Sequence, residues 1–137
     1  ILRYHATASP DFVARPFRAG ITARALARAP ALTFNQKDRL QVRWAKERLN
    51  ADIACPTHWL PSTQGFVDAC LDGMGWGLNP LPLVKEHLAQ GRLVALIPDT
   101  PLDIPLFWQV NRLAADRLAG LTREIAAVAR RELIQAA

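Results

Sequence analysis

Pro61-Ser62-Thr63-Gln64-Gly65-Phe66-Val67-Asp68-Ala69-Cys70-Leu71 runs on through Asp72 to Gly73-Met74-Gly75-Trp76-Gly77-Leu78, and the periodicity changes once along the way. Phe66/Cys70 and Val67/Leu71 are four residues apart, the spacing of a buried helical stripe. Gly73 ends that helix, and Trp76-Gly77-Leu78 is a short apolar run that predicts a strand. A helix that gives way to a strand within six residues is one unit of an alternating α/β chain, so both flanks should show the same alternation.

Downstream, Pro82 to Gln90 predicts a helix closed by Gly91 at the C′ position, and Leu93 to Ile97 a strand. A proline-rich connector, Pro98 to Pro105, leads to a further predicted strand, Leu106 to Val110. The last helix is marked by Leu118, Leu121, Ile125, Val128 and then Glu132 or Leu133 at steps of three and four. Upstream, Ile53 to Trp59 is extended in character. Asp38 is placed to cap a helix through about Leu49, with Leu40 and Trp44 on one face and Arg39, Arg43, Lys46 and Glu47 mostly toward water. Ala31 to Phe34 predicts a buried strand, preceded by an alanine-rich turn of helix that Thr22 caps and that ends before Pro30. Ser9-Pro10-Asp11 predicts a helix start, with the helix running to about Phe17 and stopping near Gly20. Leu2 to Ala6 predicts the first strand. The fold class is therefore α/β, a sheet with helices on its faces, and the chain shows no internal repeat or low-complexity tract.

With 137 residues, half of them hydrophobic, the chain can bury a core of its own. Arg, Asp, Gln or Pro interrupts every apolar run well short of the roughly 18 residues that a membrane span needs. The opening Ile1-Leu2-Arg3-Tyr4-His5-Ala6-Thr7 lacks the features of a signal peptide and an initiator Met, and the expectation is that the chain begins inside a larger protein. Two cysteines, Cys55 and Cys70, are too few for a disulfide framework, which favours a reduced, cytoplasmic setting. The net charge of +5 permits a nucleic-acid partner. The arginines, however, are spread along the chain (Arg15, Arg18, Arg24, Arg28, Arg43, Arg92, Arg117), and a direct nucleic-acid surface is not expected.

Three segments in order resemble the LysR-type transcription regulators: Thr7-Ala8-Ser9-Pro10-Asp11-Phe12; Pro61 to Val67 with Gly73 to Pro80; and Leu88-Ala89-Gln90-Gly91-Arg92-Leu93-Val94. Within that family, His58-Trp59-Leu60-Pro61-Ser62-Thr63-Gln64 followed by Leu106-Phe107-Trp108-Gln109 is similar to the regulators of arginine and lysine export, a branch that includes inhibitors of chromosome replication initiation. The resemblance implies a type II periplasmic-binding-protein-like regulatory domain, in which a small effector sits between two lobes. On that reading, residues 1–103 are the second lobe with a crossover strand. Residues 104–137 are the returning strand and C-terminal helix of the first lobe. The N-terminal winged helix-turn-helix lies outside the chain, so DNA is a partner only through that missing domain, and pairing of regulatory domains implies a homo-oligomer. The other readings left open are an amino-acid-binding protein or small α/β enzyme of similar lobe architecture, and an oligomerisation module.

The resemblance also implies where an effector, lysine or arginine, would bind. Ser62, Thr63 and Gln64 sit at a predicted helix start, where unpaired N–H groups and the positive end of the dipole suit a carboxylate; the alternative for Ser62 or Thr63 is capping alone. Asn35 and Asn79 each follow a predicted strand, at the sheet edge where α/β proteins hold ligands, or else make turns. Asp38 can pair with a basic side chain or serve as a helix cap. Trp59 can wall a pocket or join the core. His5, His58 and His87 form no metal spacing with the cysteines, so no metal or other cofactor is expected. No nucleophile elbow, phosphate loop or triad is present to support catalysis.

Overall fold

The computed structural model describes residues 1–135, and it starts each early helix with a side-chain cap. The Ser9 hydroxyl accepts from Phe12 N at 3.3 Å ahead of α1 (Pro10–Val13), and Thr22 does the same for Ala25 N at 3.1 Å ahead of α2 (Ala23–Leu26). Helix α1 is shorter than predicted, stopping at Val13 rather than near Phe17. Pro16 has no N–H to give the Phe12 carbonyl and disfavours helical geometry at Arg15, whose amide closes a tighter turn onto Phe12 O at 3.1 Å. The remaining helices are α3 (Leu40–Leu49), α4 (Thr63–Leu71), α5 (Leu81–Ala89) and α6 (Ala119–Glu132). Asp38 lies two residues before α3 rather than at its N-cap, yet its carboxylate still accepts from Leu40 N at 3.0 Å.

Two sheets carry the strands. In the first, β1 (Leu2–Ala8) is flanked antiparallel by β4 (Gly77–Pro80), with Tyr4 opposite Pro80 and Thr7 opposite Gly77, and by β5 (Val94–Ala95). Strand β6 (Leu102–Ile104) also pairs with β1. In the second, β2 (Ala31–Thr33) and β3 (Thr57–Trp59) run parallel, and Trp76 bridges to Ala31 just before β4 begins. The predicted strand at residues 106–110 is absent. The strand lies earlier, in the connector, where β6 finds a partner backbone. Leu106, Phe107 and Trp108 are at least half exposed, and an apolar run without a neighbour to take its N–H and C=O groups gains nothing from extending.

The chain forms two compact units, residues 4–102 and residues 1–3 with 103–137. The core of the larger unit packs Leu32, Phe66, Val67, Cys70, Val84 and Leu93 together. Helix α4 ends in a Schellman turn, with Met74 N to Ala69 O at 3.0 Å and Gly73 N to Cys70 O at 3.2 Å, and Gly73 takes the φ of +72° that this requires. A second glycine, Gly77, allows β4 to approach α4: a Cβ there would lie 2.3 Å from the Phe66 ring. Trp44 from α3 is fully buried against Trp76, with ring centroids 5.7 Å apart, and its indole N–H donates to Thr100 O at 2.9 Å. In the smaller unit, Arg3 forks onto Asp103 at 2.8 and 2.7 Å. Helix α6 has no buried residue, and Leu121 and Val128 are exposed.

Candidate ligand-binding site

Strand β2 ends at Thr33, and the loop that follows turns back through its own side chains. Asn35 Oδ1 accepts from Lys37 N at 2.8 Å, an Asx turn that leaves Asn35 exposed. Asp38 Oδ2 accepts from Phe34 N at 3.0 Å and from Gln41 Nε2 at 3.4 Å, while Oδ1 takes Leu40 N. The carboxylate is thus fixed by three neutral donors, and among the described residues it has no ion-pair partner.

Asp38 lines a concavity of about 130 Å³ within the larger unit, with Tyr4 from β1, Phe34, Thr63 and Phe66 from α4, and Asn79 from β4. The Tyr4 hydroxyl is held above its ordinary pKa, first by burial and second by the Asp38 charge. It therefore remains a neutral phenol near pH 7, able to donate a hydrogen bond. At α4 the Ser62 hydroxyl accepts from Gly65 N at 3.1 Å and the Ser62 carbonyl from Phe66 N. The first-turn amides of Thr63 and Gln64 have no acceptor within the helix. Asn79 is fully buried. Its Nδ2 donates to Thr7 Oγ1 at 2.9 Å and to Cys70 Sγ at 3.2 Å, and its buried Oδ1 has no hydrogen-bond partner among the described residues.

Of the seven candidate residues, Asp38, Thr63 and Asn79 meet in this concavity, and the other four do not line it. Ser62 caps α4, and Gln64 is exposed and donates to Asp68 at 3.1 Å. Asn35 makes its turn. Trp59 is 54% exposed, hence not core, and lines a separate recess of about 220 Å³ that also touches Asp38, Gln41 and Cys55. Asn79 is not a turn residue: it lies within β4, opposite His5. Tyr4 and Phe34 were missed from the sequence. Phe34 directly follows β2, and that position at a strand's carboxyl end was the available signal. Nothing local to Tyr4 marks it. Among the described residues no group of three His, Cys, Asp or Glu side chains could hold a metal ion.

Cys70 backs Asn79, and burial pushes its thiol up to about 12, against small opposing effects from Asn79 and Thr7. An acid whose folded pKa lies above its unfolded value stabilises the fold fully below the unfolded pKa, and that contribution is lost as pH rises through the folded one. The Cys70 contribution is therefore intact below about pH 9 and declines from there toward 12. Urea midpoints measured across this range should fall with rising pH, and Cys70→Ala should flatten the decline. An equal decline in the variant would assign it to other groups.

Residues 2–133 match the LysR substrate binding domain family. The HTH-type transcriptional regulator ArgP of Pseudomonas aeruginosa is 43% identical over 126 residues, covering 92% of this chain and 42% of that protein. The chain thus spans less than half the length of the curated relatives it matches. The solved C-terminal domains of a LysR family protein from Agrobacterium tumefaciens superpose with a TM-score of 0.97 at 68% identity, covering 98% of this chain and 65% of that one. Full-length LysG from Corynebacterium glutamicum, solved with the bound effector Arg, gives a TM-score of 0.80 at 31% identity, covering 98% of this chain and 46% of that one.

Proposed function

The chain belongs to the LysR substrate-binding domain family, and from that premise we propose that it is the sensing part of a transcription regulator whose effector is a basic amino acid, arginine or lysine. Its α/β architecture is the type II periplasmic-binding-protein-like fold of that family's regulatory domains. The observation that carries the effector reading is Asp38: a carboxylate without an ion-pair partner among the described residues, lining a concavity whose other wall holds Thr63 in the first turn of α4. An amino acid bears both complementary charges. Its cationic side chain would pair with Asp38, while its carboxylate would accept from the α4 first-turn amides and the Thr63 hydroxyl. The Phe34 ring offers a face to a guanidinium. That LysG holds arginine as its effector supports the same ligand class here.

The concavity holds about 130 Å³, roughly four waters' share of liquid, and is smaller than the roughly 300–1,000 Å³ of complete small-molecule sites. We read it as part of the effector site rather than the whole of it. On this reading residues 4–102 are the second lobe, and the unit containing residues 103–135 contributes to the first. DNA reading lies in an N-terminal winged helix-turn-helix, regulatory domains pair into a homo-oligomer, and the protein senses cytoplasmic metabolite rather than catalysing a reaction. Among the described residues no helix is long and apolar enough to cross a membrane.

The test is calorimetry on the full-length regulator with arginine, lysine and the neutral analogue citrulline. Arginine and lysine are expected to bind at least about tenfold more tightly than citrulline, the difference of one charge-assisted contact. Absence of binding by both basic amino acids would sink the assignment.

A further inference from the structure

Arg24 and Arg28, four residues apart on and just after α2, line one concavity of about 580 Å³ together with Arg15, which lies just after α1. The sequence reading of dispersed basic residues does not hold for this face of the larger unit. Pro16, Gly20 and two alanines form the rest of its wall with Thr22, and no aspartate or glutamate lines it. Among the described residues none of the three arginines is in an ion pair. Arg15 Nε donates to the Asp11 carbonyl at 3.3 Å, and among the described residues Arg24 and Arg28 have no hydrogen-bond acceptor. Thr22 Oγ1 accepts from Ala25 N at 3.1 Å, which leaves its own proton free to donate. Guanidinium groups around one recess repel each other, and a bound anion relieves that repulsion.

We propose that this concavity is a second ligand site, separate from the pocket at Asp38, that takes the terminal phosphate group of a small molecule. Three planar forks can each meet two oxygens, which matches a phosphate's three terminal oxygens better than a carboxylate's two. The volume lies within the roughly 300–1,000 Å³ of small-molecule pockets. A nucleic-acid backbone is tracked by an extended basic groove, and three arginines about a single recess do not form one.

The experiment is calorimetry on the full-length regulator with inorganic phosphate, glucose 6-phosphate and malonate, at ionic strength held constant with chloride. Saturable binding of a phosphate probe and weaker binding of malonate are expected. Glucose 6-phosphate binding more tightly than inorganic phosphate identifies a phosphorylated metabolite, and the reverse identifies free phosphate; either outcome supports the site. Arg15→Gln with Arg24→Gln and Arg28→Gln should weaken phosphate binding by roughly tenfold or more, the usual effect of losing a charged hydrogen-bond donor. Asp38→Asn should leave it unchanged. All three arginines are exposed, so the triple variant should melt like the wild type; Arg28→Glu alone, expected to weaken binding in the same direction, covers the case in which it does not. No saturable binding, or binding undiminished in both variants, overturns the proposal. So does a random-sequence DNA duplex whose affinity falls more than that of phosphate in the triple variant, since that would mark a contact to a nucleic-acid backbone.

Discussion

Asp38→Asn in the full-length regulator is expected to cut affinity for arginine and lysine by roughly 10- to 150-fold, the equivalent of about 1.5–3 kcal/mol for a hydrogen bond to a charged partner. Affinity for citrulline should change far less. The substitution keeps the side chain's size and removes its charge, and no other acid lines the concavity. It also has a structural cost. The carboxylate accepts from Phe34 N, Leu40 N and Gln41 Nε2, and the new amide group would oppose one of these donors. The informative quantity is therefore the ratio of arginine to citrulline affinity, because a disordered loop would lower both together while a lost ion pair lowers the first alone. A ratio unchanged from wild type would mean that Asp38 is a loop brace and that the effector's cation sits elsewhere.

Trp44→Ala should destabilise the larger unit by about 3–5 kcal/mol, the cost of truncating a buried tryptophan. A domain's whole stability is about 5–15 kcal/mol, so the melting temperature should fall by roughly 10 °C or more. Trp44 is fully buried, stacks at a tilt on Trp76 and closes α3 onto the Thr100 carbonyl. Its removal opens a large cavity and leaves that carbonyl without its donor. Trp44→Phe keeps most of the volume and loses the hydrogen bond, so it should lie between the two. Thermal denaturation followed by circular dichroism measures all three. A loss below about 1 kcal/mol for the alanine variant would show that this part of the core repacks freely.

The elements that rest on short-range physics were legible in the sequence. Ser9 and Thr22 cap their helices through their own hydroxyls, Gly73 and Gly91 lie at positive φ just past α4 and α5, and the Phe66–Val67–Cys70 stripe is buried, because caps, turns and helical faces are set within four or five residues. Family membership was legible for a related reason, since ordered segments spread along the whole chain carried it. What depends on a distant partner was not. An apolar run at 106–110 is no strand without a backbone beside it, whereas Leu102–Ile104 becomes one by pairing with β1. At the site, Thr63 and Asp38 belong to segments 25 residues apart, Asn79 reaches Thr7 across 72 positions, and Tyr4 joins them from the first strand. Arg15 lies nine residues before Arg24, yet it shares a single recess with Arg24 and Arg28. The chain's local chemistry determined which helices and turns form. Which side chains face one another was decided by tertiary structure alone, because convergence depends on how strands and helices close over one core, and periodicity carries no record of that closure.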